Sequence, residues 1–162
     1  MVSERYRRAY RLSGVPADLA ALCDLIESDR RLRDAVMMRI VDPSLTYEEF
    51  DVIVRSDGTG ADPRRSARLV ERIIIGGPRN PSPDDGMRIM TFAEGIACEA
   101  WERNAADLHA AAGYLMWVCG DRGTCGLEAR AALMIDPDTA LAKLILRLLR
   151  GEPEQDVQPD GR

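Results

Sequence analysis

"ADLHAAAGYLMWVCGDRGTCGLEARAALMIDP", residues 106–137, decides the fold. Two readings compete for it. Cys119 and Cys125 beside a glycine-rich turn suggest a metal or redox loop, whereas the Ala-rich runs on either side suggest two helices folded back on each other. The spacing favours the helices. Gly113, Cys125, Ala132 and Pro137 follow one another at intervals of twelve, seven and five residues. Small side chains at such positions let two antiparallel helices approach closely, where larger ones push the axes apart. Gly120 and Gly123 supply the turn, Asp121 suits its polar tip, and Pro137 stops the second helix. A structural zinc site needs four ligands in close pairs. Cys119 and Cys125 have five residues between them, and His109 is the single histidine of the chain.

The same spacing resembles a tetratricopeptide helix–turn–helix unit with its terminal proline. Met116 and Ala129 stand where that repeat usually carries aromatics. A shift of 34 residues either way puts Arg79 or Arg147 where Gly113 should recur, so the hairpin stands alone within a bundle and no repeat array is expected. A narrower likeness covers "AAGYLMWVCGDRGTCGLEARAALMIDPDTALAKLILRLLRGEPEQ", residues 111–155. Its Ala-rich helix ending in Gly-Asp, then "ARAAL", "DP" and a Leu-rich helix followed by Gly, is similar to the C-terminal helical part of the uncharacterised domain-of-unknown-function family 4192 of high-G+C bacteria. That resemblance implies a helical fold and carries no activity.

Outward from the hairpin the periodicity stays helical. Leu19, Leu22, Cys23 and Ile26 form one stripe, and Leu32, Val36, Met37 and Ile40 a second, closed by Pro43. Thr46 and Glu49 form a capping box ahead of "EEFDVIV", which is read as helix although its β-branched residues also suit a strand. Asp62 and Pro63 open a helix with Leu69, Val70, Ile73 and Ile74. "GGPRNPSPDDG" is a candidate hinge at 76–86. Ser82 or Asp84 then starts a long helix with Met90, Ala93, Ala97 and Trp101 along one side. Helices follow near 105–119, 124–135 and 138–150. In the last, Leu141, Leu144, Ile145, Leu148 and Leu149 make an amphipathic face, with Asp136 as its expected cap and Pro137 in its first turn. No alternating apolar and polar run stands out. The expectation is a compact all-α bundle of about seven to eight helices in a single domain over 1–151, with a disordered acidic tail at 152–162.

Composition narrows the function classes. A chain of 162 residues, 46% apolar and 30% charged, can bury a core unaided. No apolar run approaches membrane-spanning length and the basic N-terminus lacks a signal-peptide core, so a cytoplasmic protein is expected. In a reducing compartment Cys23, Cys98, Cys119 and Cys125 are thiols, with Cys23 and Cys98 read as small apolar residues of helix interiors. The cations are 21 arginines and one lysine, Lys143, against a net charge of −5, so nothing global argues for nucleic acid. Arg5, Arg7, Arg8 and Arg11 make the first dozen residues basic, read as a solvated face.

No phosphate loop, nucleophile elbow, dinucleotide fingerprint or calcium loop is present in the sequence, and no cofactor is expected. The function expected is therefore non-enzymatic: a helical protein-interaction module, an adaptor or regulator. Its partner-binding candidates are Tyr114 and Trp117, which share a helix face that binds a partner if exposed and is simply core if buried, core being the commoner outcome where aromatics are scarce, and Arg122 at the hairpin tip. The alternative is a DNA-binding regulator that lays Arg64, Arg65, Arg68 and Arg72 of one helix along phosphates.

Overall fold

The computed structural model describes residues 2–55 and 81–151. Among them the chain is a compact all-α bundle of eight helices: α1 (Val2–Leu12), α2 (Leu19–Ser28), α3 (Arg30–Val41), α4 (Tyr47–Val54), α5 (Pro83–Arg103), α6 (Ala106–Val118), α7 (Arg122–Ile135) and α8 (Ala140–Arg150). No strand occurs among the described residues, and "DVIV" is the end of α4. The capping box fixes that choice. Thr46 Oγ1 accepts from Glu49 N–H at 3.2 Å, Glu49 Oε2 accepts from Thr46 N–H at 3.0 Å, and Phe50, Ile53 and Val54 then fall on one buried face.

The core is organised around α6, whose residues are buried without a break from Leu108 to Val118. A helix that is apolar on every side has no solvent face and must sit inside the molecule. It packs against α2, α3, α5, α7 and α8. Leu108 and Leu115 are fully enclosed, each contributing about 2 kcal/mol through burial. The closest neighbour is α7. A Cβ on Gly113 would lie 3.3 Å from the Cys125 carbonyl oxygen and 3.4 Å from Glu128 Cβ, so the α7 backbone runs directly over this glycine. Cys125, Ala129 and Ala132 are buried along the same side of α7. The hairpin and its small-residue contact are as the spacing predicts.

The turn differs in detail. Gly120 alone takes the left-handed conformation, with φ of 82°, a region that glycine enters without a steric penalty. Asp121 is the N-cap of α7 and accepts from Thr124 N–H at 3.1 Å, which places Gly123 inside the first helical turn. Asp136 also has another role than expected. It ends α7, its N–H bonding to the Ala132 carbonyl at 2.9 Å, and Thr139 is the N-cap of α8. The intervening Pro137 and Asp138 form a turn, with Asp138 N–H donating to the Asp136 carboxylate at 2.9 Å, a shape that aspartate side chains favour.

Polar fasteners tie the outer helices to this centre. Arg33 on α3 is buried and pairs with Asp34 at 2.8 Å and with Asp107, at the start of α6, at 3.0 Å. Arg103, at the end of α5, reaches Asp24 and Glu27 of α2 at 2.6 and 2.9 Å. The basic N-terminal segment is a helix, and Arg5, Arg7, Arg8 and Arg11 are all exposed on it, as a solvated face requires. Tyr10 on α1 meets Tyr47 and Phe50 edge-on at 5.6 and 5.5 Å, and its hydroxyl donates to the Leu45 carbonyl at 2.8 Å. Arg39 stacks over the Tyr10 ring at 4.5 Å, and Arg7 lies over Tyr47.

The hinge expected at 76–86 meets the described residues only from Pro81. Ser82 caps α5 by accepting from Asp85 N–H at 3.2 Å, and Pro83 takes its first turn, so residues 83–86 are helix. Residues 152–162, expected as an acidic tail, lie outside the described residues.

Substituting Ala132→Leu is expected to lower unfolding free energy by about 1–3 kcal/mol through overpacking. Gly123→Ala, at a helical position with nothing within 4 Å of the added methyl, should be neutral or stabilise by up to about 1 kcal/mol. Urea unfolding curves of the two variants check the contrast.

Candidate functional site

Of the residues expected to bind a partner, Tyr114 and Trp117 belong to the core. They are 4% and 6% exposed, with rings 6.1 Å apart, because α6 has no outward face on which to present them. Arg122 is exposed but engaged: its Nη2 donates to the Leu149 carbonyl at 2.8 Å and satisfies one of the free carbonyls at the end of α8. Arg64, Arg65, Arg68 and Arg72 lie outside the described residues.

The lone histidine sits in a cluster that the sequence reading missed. His109 on α6 is 1% exposed and donates from Nδ1 to Glu128 Oε2 on α7 at 2.5 Å. Trp101 Nε1 on α5 donates to the other carboxylate oxygen at 3.1 Å, and its ring meets the imidazole edge-on at 4.6 Å. A signal existed. Glu128 falls between Cys125 and Ala132 on the small-residue stripe, where an acid must enter the helix contact and find a donor. Trp101, expected on the inner side of α5, is 56% exposed and covers this pair from outside. A general base must reach the proton it takes. His109 and Glu128 are closed off from solvent, so the arrangement binds three helices together and has no access to a substrate.

The four cysteines are free thiols. Cys119 Sγ–H points to the Gly86 carbonyl at 3.8 Å and Cys125 is enclosed at the hairpin contact. No three His, Cys, Asp or Glu side chains converge as metal ligands among the described residues. Burial pushes the Cys125 thiol up to about 11 and that of Cys23 to about 12, and it raises Cys119 as well. Cys98, expected inside α5, is instead exposed.

Surface depressions among the described residues include two on opposite parts of the helix order. One, of about 330 Å³, lies between the α3–α4 turn and the start of α5, lined by Val41, Pro43, Ile89 and Val118 with Asp42 and Asp85. The guanidiniums near it are engaged as fasteners: Arg88 donates to the Ile40 carbonyl at 2.6 Å and Arg39 to the Pro43 carbonyl at 2.5 Å.

The other, of about 410 Å³, is an open groove between α7 and α8, lined by Leu133, Lys143, Leu146, Arg147 and Arg150. Lys143 makes one loose pair with the exposed Asp138 at 3.7 Å, and Arg147 and Arg150 have no ion-pair partner among the described residues. Only Ala142 and Ile145 of α8 are buried; Leu141, Leu144, Leu146, Leu148 and Leu149 are all half-buried. Met134, next to Leu133, is 87% exposed, and Leu127 two turns earlier on α7 is also exposed. No helix among the described residues is long and apolar enough to cross a membrane.

No protein-family model, curated protein or solved structure matches the chain.

Glu128→Ala leaves the buried His109 without its acceptor, and a loss of about 3 kcal/mol or more is expected in urea unfolding. Pairing His109→Phe with Glu128→Leu should recover part of that loss, since no buried polar group is then stranded. The thiols give an independent check on burial. Because the thiolate is the reactive form, iodoacetamide at mildly alkaline pH should label Cys98 in the native protein and reach Cys23 and Cys125 only on unfolding, as read by peptide mass spectrometry.

Proposed function

We propose that this chain is a non-enzymatic helical protein-interaction module, an adaptor or regulator of tetratricopeptide-like design, that docks a partner along the groove between α7 and α8. The observation that carries this reading is the state of α8. Leu146, partly exposed, lines the groove with Leu133 of α7, beside Lys143, held only by a loose pair with Asp138, and beside Arg147 and Arg150, which have no ion-pair partner among the described residues. Met134 and Leu127 extend apolar surface over the adjoining side of α7.

The rest of the molecule supports a scaffold role. The single buried His–Glu pair is sealed, and Tyr114 and Trp117 serve the core. The likeness of residues 111–155 to the C-terminal part of domain-of-unknown-function family 4192 agrees with a helical module and adds no chemistry. We place the protein in the cytoplasm, where a reducing environment suits four thiols.

A photocrosslinking residue at Met134, compared with one at the exposed Glu48 on α4, tests the docking face in native-host lysate. Expected is a discrete crosslinked species from position 134 alone, lost on Arg147→Glu in a variant whose thermal melt is unchanged. The same pattern from both positions, or a species indifferent to Arg147→Glu, would refute the groove as the docking face.

A further inference from the structure

We infer that the occupant of the α7–α8 groove is an acidic amphipathic helix of a partner protein; this rests on the groove being the docking face. The charge on the groove is one-sided. Lys143, Arg147 and Arg150 follow at spacings of four and three, so they share one side of α8, and the helix contains no acid at all. The whole chain, by contrast, carries a net charge of −5. Arg147 and Arg150 lie in the last turn, where cations also oppose the helix dipole, but Lys143 stands in the first turn, where a cation works against it. The dipole therefore does not account for the row, whereas a ligand with carboxylates along its length does.

The shape adds the second element. From position 143 to 150 the row spans about 10 Å, roughly two turns of a docked helix. Leu133 and Leu146 form an apolar floor under it. Helix-in-groove recognition needs apolar anchors at i, i+3 or i+4, and i+7. A partner helix with such anchors and glutamates beside them satisfies both the floor and the rim. Rim charges of this kind set association rate and salt dependence more than affinity, and the apolar anchors supply the binding energy.

Two other anionic surfaces fit less well. A bilayer would need the apolar side of α8 free to enter it. That side is turned inward, with Ala142 and Ile145 buried and Leu149 against Gly126 of α7. Nucleic-acid phosphates would engage the cations and leave the leucine floor without a use.

The experiment measures fluorescence anisotropy with the full chain. The probe is a labelled synthetic helix with leucines at i, i+4 and i+7 and glutamates flanking them. Comparison probes are the same peptide with lysines for glutamates, vesicles containing phosphatidylglycerol, and a duplex DNA. Saturable binding of the glutamate peptide is expected, weaker at high salt. Lys143→Glu with Arg147→Glu should weaken it about tenfold or more, and the lysine peptide should then become the better ligand. Leu146→Ala should weaken the glutamate peptide with the charge pattern intact, a change that mere counterion attraction would not produce.

Equal binding of the glutamate and lysine peptides, or binding unmoved by the charge reversal, overturns the proposal. So does preferential binding of the vesicles or the DNA. If the glutamate peptide fails while the Met134 crosslink persists, the acidic partner falls and the docking face stands. If both fail, the module reading falls with it.

Discussion

A helix buried on all sides needs neighbours that can come close on all sides, and α6 meets that need with small residues. Ala110, Ala111, Ala112 and Gly113 occupy its middle, and each is enclosed. Gly113 sets the tightest approach, with the carbonyl of Cys125 and the Cβ of Glu128 at van der Waals distance from where its own Cβ would be. Everything else is placed relative to that contact. Once α7 lies against α6, Glu128 faces His109, Ala132 is enclosed, and the short turn at 136–139 returns α8 along α7. Close-packed interiors transmit strain and do not absorb it. A larger side chain at Gly113 or Ala132 is therefore felt at the buried pair and at the groove.

The buried His109–Glu128 bond shows how the same contact handles polarity. Burying an ionisable pair is costly unless its partners are matched. Here the carboxylate takes one hydrogen bond from the imidazole and one from the Trp101 indole, so α5, α6 and α7 are held in one register. Fully apolar helices could slide past each other by a turn at small cost, but a carboxylate with two assigned donors cannot. Arg33 with Asp107 on α6, and Arg103 with Asp24 and Glu27 on α2, extend the same logic to the periphery.

The outer edge of the bundle is covered less fully than its centre. Helix α8 covers part of α6 and α7 with Ala142 and Ile145 and leaves Leu146 partly exposed beside Lys143, Arg147 and Arg150. The buried carboxylate of Glu128 thus has both its oxygens engaged, whereas Arg147 and Arg150 on the surface have no ion-pair partner among the described residues. The docking role we propose rests on this edge.

The sequence alone determined the helices and the hairpin. Periodicity, the Thr46–Glu49 capping box and the Gly113–Cys125–Ala132 spacing are local or pairwise signals, and local signals survive in a one-dimensional reading. What the sequence did not yield were the assignments that depend on which side of a helix faces what. Tyr114 and Trp117 on α6 admit two readings, anchors if exposed and core if buried, and the enclosure of α6 on every side decides for core. Cys98 and Trp101 lie within an apolar pattern on α5, yet both are exposed in the fold. His109 read as an isolated histidine because its partner lies nineteen residues away and is brought within hydrogen-bond reach only by the antiparallel fold. Lys143, Leu146, Arg147 and Arg150 carry no distinctive signal in the sequence of α8. They became a groove only when α7 was set beside them, since concavity belongs to two helices together and is encoded in neither.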